Sequence, residues 1–316
     1  MHHFLSAVQG VLVIFIVLGI GFYLAKIGWF DDGTAKLFLK LILNVTMPMD
    51  ILVNLSLSFS KSQFLSSLKG ELIPFLSILS SYFIAYVLSR IIKIERKRRG
   101  VFMATFSFSN AIFIGLPLCR VLFGDVSTPY SLMYYMANTV LWWTIGVYCI
   151  AIDSETDFKK TGFWKGALKR IMSPPLVALF VGITLILLNV KLPDFLMKSM
   201  ELIGDITTPL SLFYVGIVIY NMEKEKLRFS KETVLVLLGR FLIAPALIYL
   251  MALFIDVPRI MRDVFIVMSG MPVMVNSSIV SRVYGADYEF ATSMITYSTI
   301  FSIIVIPALM VLINRI

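Results

Sequence analysis

Long stretches of this chain are almost free of charge. They fall near 4–25, 35–57, 72–92, 101–123, 130–152, 171–190, 196–221, 233–255, 263–284 and 290–313. Each approaches the roughly 20 residues that a membrane-crossing helix needs. Strands of a membrane barrel would instead read as segments of about ten residues with alternating polarity. The pattern predicts an all-α integral membrane protein with ten transmembrane helices. The first run lacks a basic start and reads as the first helix rather than a leader.

The polar connections carry a second pattern. The third loop holds Arg90, Lys93, Arg96, Lys97, Arg98 and Arg99. The fifth holds Lys159, Lys160, Lys165, Lys169 and Arg170, and the seventh Lys224, Lys226, Arg228 and Lys231. Even-numbered loops carry fewer basic residues, Arg120 among them. Basic loops stay on the cytoplasmic side. The expectation is a multi-pass protein of the cell (inner) membrane with both termini extracytoplasmic. The fifth loop, with Phe158, Phe163, Trp164 and Leu168 among its lysines, also reads as an interfacial amphipathic segment.

Composition fits this picture: 59% of the 316 residues are hydrophobic and 15% charged. An ordinary soluble domain has about 25% charged residues. The net charge of +9 is therefore read as a topology signal and a contact with membrane lipid, not as a nucleic-acid surface. Cys119 and Cys149 lie in apolar runs without metal spacing, and His2 and His3 have no third ligand nearby in sequence. No cofactor and no metal are expected. No HExxH, no histidine inside a span and no GxxxxGK[ST] loop occur, so neither an intramembrane enzyme nor an ATP-driven pump is expected.

The chain divides into two five-helix halves, 1–155 and 156–316. A fixed shift of 161 residues relates Thr46 to Thr207, Pro48 to Pro209, Gly21 to Gly182, Glu71 to Glu232 and Gly124 to Gly285. An odd number of spans per half makes the second half enter the membrane from the opposite side. Inverted repeats of this kind typify secondary transporters.

Two runs contain helix breakers at corresponding places. The fourth has Asn110, Gly115 and Pro117; the ninth has Gly270, Pro272, Asn276, Ser277 and Ser278. Proline removes a backbone donor and clashes with the carbonyl four residues earlier. In hydrocarbon the freed backbone groups need partners, so such breaks survive where they are buried or line a wet cavity. Half-helix N-termini there suit an anion. No Asp or Glu lies in 100–119 or 264–281, which disfavours a cation site. Asn138, near Tyr134 and Tyr135, could add a donor to the cavity or bond between helices. Asp50, Asp205 and Arg240 fall inside spans. Either acid could carry a coupling proton, while Arg240 could snorkel or draw anions inward.

The segment NAIFIGLPL (110–118), followed by LFG, resembles the fourth-helix signature of the auxin efflux carrier family, which includes the plant PIN exporters and many bacterial permeases. TTPLSLFYVG (207–216) and MPVMVNSSIVSRVYGAD (271–287) resemble its seventh and ninth helices. The resemblance implies two inverted five-helix repeats with broken, crossing helices four and nine. Helices one, two, six and seven would be scaffold. It also implies transport of an organic anion such as a dicarboxylate or indole carboxylate, and a homodimer fits. Asn110 and Pro117 would form the first half of the crossover, and Pro272 and Asn276 the second. The long cytoplasmic loop of the larger plant members is absent.

The function expected is secondary active transport of a small organic anion by alternating access, coupled to a proton or sodium. The alternative is a channel or a ligand-sensing receptor with the same fold.

Overall fold

The computed structural model describes residues 2–58, 60–153, 174–221 and 229–313. Among them the structure is helical, apart from one isolated β-bridge between Ser109 and Val273. In chain order the main helices are α1 (His2–Lys26), α2 (Asp32–Leu57), α3 (Leu68–Ile91), α4 (Arg96–Ser107), α5 (Ala111–Phe123) and α6 (Asp125–Asp153). They continue with α7 (Pro174–Leu188), α8 (Asp194–Tyr220), α9 (Lys231–Ala252), α10 (Arg259–Ser269), α11 (Asn276–Val283) and α12 (Tyr288–Ile313).

Six of these, α2, α3, α6, α8, α9 and α12, are long and apolar enough to cross a membrane. Shorter apolar helices cover Phe15–Lys26, Ala111–Phe123 and Val177–Leu188. The breaks expected in the fourth and ninth runs divide each run into two short helices. Large apolar side chains such as Ile304, Phe83 and Leu242 are 62–74% exposed, as expected of helix faces that meet lipid rather than water. The amphipathic reading of the fifth loop falls on residues outside those described, as do Lys224, Lys226 and Arg228 of the seventh loop.

Local chemistry sets the helix ends. Asp31 caps α2: its carboxylate accepts the Thr34 amide at 2.7 Å, which holds the Asp31 carboxyl below its ordinary range. Ser230 caps α9 through the Thr233 amide in the same way. Four wide π-type turns occur among the described residues; Trp142–Gly146 has no proline in the helix after it, while the other three are Ile42–Thr46, Ala111–Gly115 and Gly239–Ile243. Each of these three contains the residue four positions before a proline: Asn44 before Pro48, Phe113 before Pro117 and Phe241 before Pro245. The wider turn accommodates the missing donor and the ring that would clash there.

The chain packs as two units. The first comprises Met1–Lys69, Ile112–Met133 and Met172–Met222; the second comprises Gly70–Ala111, Tyr134–Ile171 and Glu223–Ile316. The first unit thus gathers α1, α2, α7 and α8, the helices that the resemblance assigns to a scaffold, together with α5. Here α1 lies along the second part of α8, and α7 along the second part of α2. Their approach depends on glycines. A β-carbon on Gly21 would stand 2.7 Å from the Phe213 backbone, and one on Gly216 only 2.3 Å from the Leu18 carbonyl. The second unit has an aromatic core, in which Phe108 meets the edge of Trp142 at 5.4 Å and packs near Tyr82.

Gly124 and Gly285, one shift of 161 residues apart, both adopt positive φ (76° and 71°) just past α5 and α11. Glycine supplies this conformation without a steric penalty.

Candidate functional site

The site is built in the second unit, where two helices stop. Helix α4 ends at Ser107, and residues 108–110 run extended; α10 ends at Ser269, and 270–275 leave the helix. The two extended segments pair backbone to backbone in antiparallel fashion at Ser109 and Val273. The Asn110 amide donates to the Pro272 carbonyl at 2.7 Å, and the Met274 amide donates to the Phe108 carbonyl at 3.3 Å. Proline can accept here although it cannot donate, so Pro272 suits the position.

Neighbouring helices satisfy the remaining edges. Asn138 on α6 grips Ser109 from both ends: its Nδ2 donates to the Ser109 carbonyl at 3.1 Å, and its Oδ1 accepts the Ser109 amide at 3.2 Å. Ser298 Oγ on α12 accepts the Val273 amide at 2.9 Å. Buried backbone groups without helix partners are thereby paired.

Arg240 completes the arrangement. Its side chain is fully buried and lies beside Tyr134. Nη1 donates to the carbonyls of Ser107 (2.8 Å) and Phe106 (3.4 Å), Nη2 to those of Ser269 and Met271, and Nε also to Met271 (3.2 Å). One guanidinium thus caps the C-terminal ends of α4 and α10 together. Those ends carry unpaired carbonyls and partial negative charge, which a cation offsets. The expectation that Arg240 could snorkel is corrected: with zero exposure, its donors are directed at the two broken ends.

Several polar atoms at the breaks have no hydrogen-bond partner among the described residues. They are Asn110 Nδ2 and the hydroxyls of Ser107, Ser109 and Ser277, all buried. Asn276, half-buried, opens α11. Five of the residues singled out from the sequence, Asn110, Asn138, Pro272, Asn276 and Ser277, therefore lie in the second unit. Asn110, Asn138 and Pro272 are joined there by the bonds just described. Gly115 and Pro117 belong to the first unit, where Gly115 closes a π-type turn and Pro117 stands in the first turn of the following helix.

The two candidate coupling acids also lie in the first unit. Asp50 is 3% exposed. Its Oδ1 accepts from Arg120 Nη2 at 3.1 Å and from Asn54 Nδ2 at 2.9 Å, while Oδ2 is buried without a partner among the described residues. Arg120, which the hydropathy pattern placed in a loop, is the last basic residue of α5 and also meets Asp125 at 3.2 Å. Asp205 is exposed and interrupts α8 next to Gly204, where a β-carbon would stand 2.9 Å from the Asp50 backbone.

Sequence reasoning missed three participants. Ser298 and Ser109 carry no signal beyond being serines in apolar runs. Arg120 as the partner of Asp50 required a contact across 70 residues.

Comparison with known proteins identifies the family. The sequence matches the Mem_trans family, described as membrane transport protein, over residues 6–162 and 163–310. It is 25% identical over 306 residues to a protein of Methanocaldococcus jannaschii named uncharacterized transporter MJ1031, covering 94% of this chain and 95% of that one. It is 21% identical over 225 residues to the Escherichia coli protein named uncharacterized transporter YfdV, covering 70% of each. The chain belongs to the Mem_trans family of membrane transport proteins, the family of the auxin efflux carriers.

Proposed function

We propose that the protein is a secondary active transporter of a small organic anion, a carboxylate or auxin-like molecule, that works by alternating access. The observation that carries this reading is the meeting of the ends of α4 and α10, in stretches 100–119 and 264–281 that hold no Asp or Glu. Arg240 offsets both helix C-terminal ends there, and Asn110 Nδ2 and the Ser277 hydroxyl are left buried and unpartnered among the described residues. Leaving such groups unmade costs about 1–3 kcal/mol each, so they are retained where a ligand can satisfy them. An amide N–H and a hydroxyl can donate to a carboxylate without forming an ion pair that release would have to break.

Asn276, also in the second unit, is proposed to bind substrate with Asn110 and Ser277, and Gly115 and Pro117, in the first unit, are proposed by themselves as substrate-binding positions. The halves 1–155 and 156–316 would be inverted repeats, a reading supported by the matched positive-φ Gly124 and Gly285. Both termini would be extracytoplasmic, in the cell membrane. Asp50, with Asp205 nearby, is the candidate carrier of a coupling proton or sodium.

The test is solute flux in proteoliposomes. Wild-type protein should show saturable counterflow of a small carboxylate. Asn110→Ala and Asn276→Ala, folded and inserted, should each lower it severalfold. Wild-type rates in both variants would refute the assignment. Single-channel currents without counterflow would mean a channel instead.

A further inference from the structure

A second candidate site lies away from the crossover, at the basic end of α3. A cleft of about 340 Å³ opens there between α3, α4 and the last turns of α6, all within the second unit. Its α3 wall is a stripe formed by Leu79, Phe83, Tyr86 and Arg90. These positions are spaced by four, three and four residues, which puts them on one helix face. Phe83 is 67% and Tyr86 42% exposed. On a helix long and apolar enough to cross a membrane, that exposed face meets lipid.

The dimensions fit a phospholipid. Leu79 and Arg90 are eleven positions apart, about 16 Å of helix. One leaflet is half of a hydrocarbon core about 30 Å thick, or about 15 Å. The stripe thus spans one leaflet, from apolar residues at its deep end to guanidinium groups at the headgroup level.

Charge selects the headgroup. Arg90 lies over the Tyr86 ring, 5.1 Å from its centroid, and is exposed at the mouth of the cleft. Arg99 faces the cleft from α4, and its Nε is buried without a partner among the described residues. The acid that lines the cleft is Asp153 at the end of α6, and Arg90, Arg96 and Arg99 all stand near it. Arg96 is partly engaged, donating to the Ile152 carbonyl at 3.1 Å. The excess charge is positive, which favours an anion.

We propose that this cleft holds an anionic phospholipid. Its phosphate sits at Arg90 and Arg99, and one acyl chain lies along Tyr86, Phe83 and Leu79. The site rests on the membrane reading of α3 and is independent of the transport site.

The test is native mass spectrometry of the purified full-length protein with phosphatidylglycerol or phosphatidylcholine of identical acyl chains. Wild-type protein should retain phosphatidylglycerol about tenfold or more in preference. Arg90→Gln/Arg99→Gln should bring the ratio close to one. Lys93→Gln, in the same loop but outside the cleft, should preserve it. Arg90→Gln alone, at an exposed position, should lower the ratio in part and covers the case in which the double variant fails to fold. Equal retention of the two lipids by wild type would overturn the proposal. So would an unchanged preference in the arginine variants, or a loss in Lys93→Gln as large as theirs. Inorganic phosphate that raises the melting temperature as much as phosphatidylglycerol would overturn the lipid as occupant.

Discussion

The amide of Asn110 donates to the carbonyl of Pro272 at 2.7 Å, joining two helix breaks that lie 162 positions apart. The bond uses only the backbone of Asn110. The side chain is therefore free for a separate role, and Nδ2 is indeed buried without a partner among the described residues.

That separation makes Asn110 and Asn138 behave differently on truncation. Asn110→Ala removes an unsatisfied group and keeps the backbone pair. Its stability should stay within about 0.5 kcal/mol of wild type, while flux falls. Asn138→Ala strands the amide and carbonyl of Ser109, which it holds at 3.2 and 3.1 Å. The cost should be about 1–3 kcal/mol. Thermal melting in detergent alongside proteoliposome flux separates the two. A large melting loss in Asn110→Ala would make it a structural residue.

Arg240 is the residue on which the crossover most depends. Replacing it with Met leaves the carbonyls of Phe106, Ser107, Ser269 and Met271 without their donor. A buried carbonyl left without its donor costs about 1–3 kcal/mol. Arg240→Met should lower the melting temperature sharply. Arg240→Lys should recover only part of the loss, because an ammonium cannot present the planar fork that reaches both helix ends. Melting temperatures of the two variants decide this.

Much of this arrangement was legible from the chain alone. The charge-free runs mark the helices because the hydrocarbon core sets their length. The breaks at Asn110–Pro117 and Gly270–Ser277 stand out because Pro and Gly disrupt helices wherever they occur. The bonding partners were not legible. Asn138 and Ser298 meet the extended segments through contacts distant in sequence. Arg240 lies near the end of an apolar run, where periodicity alone allows both snorkelling and burial. Only the positions of the carbonyls distinguish the two.

The close approach of α1 to α8 gives a prediction independent of the site. A β-carbon on Gly216 would stand 2.3 Å from the Leu18 carbonyl and 2.6 Å from the Phe22 amide nitrogen, both rigid backbone atoms. Gly216→Ala should force the helices apart at a cost of about 1–3 kcal/mol. Gly19→Ala, with open space around it, should be neutral. Paired melting curves test the contrast, and equal behaviour would refute the packing.

Asp50 and Arg120 give the sharpest test of coupling. The carboxylate is 3% exposed and its partner guanidinium about 20%. If Asp50 takes up a proton during the cycle, the acceptor of the Arg120 bond at 3.1 Å loses its charge, and the tie between α2 and α5 weakens. Asp50→Asn imitates the protonated state permanently. Uptake by this variant should no longer follow an imposed pH gradient, while exchange of substrate at equal pH continues. Arg120→Met leaves the carboxylate buried without its charge partner, at a cost of about 3–5 kcal/mol. The double variant Asp50→Asn/Arg120→Met removes both charges and should recover most of that stability, though not the pH response. Wild-type pH dependence in Asp50→Asn would reduce the pair to a structural tie, and the coupling site would then have to be sought elsewhere in the molecule.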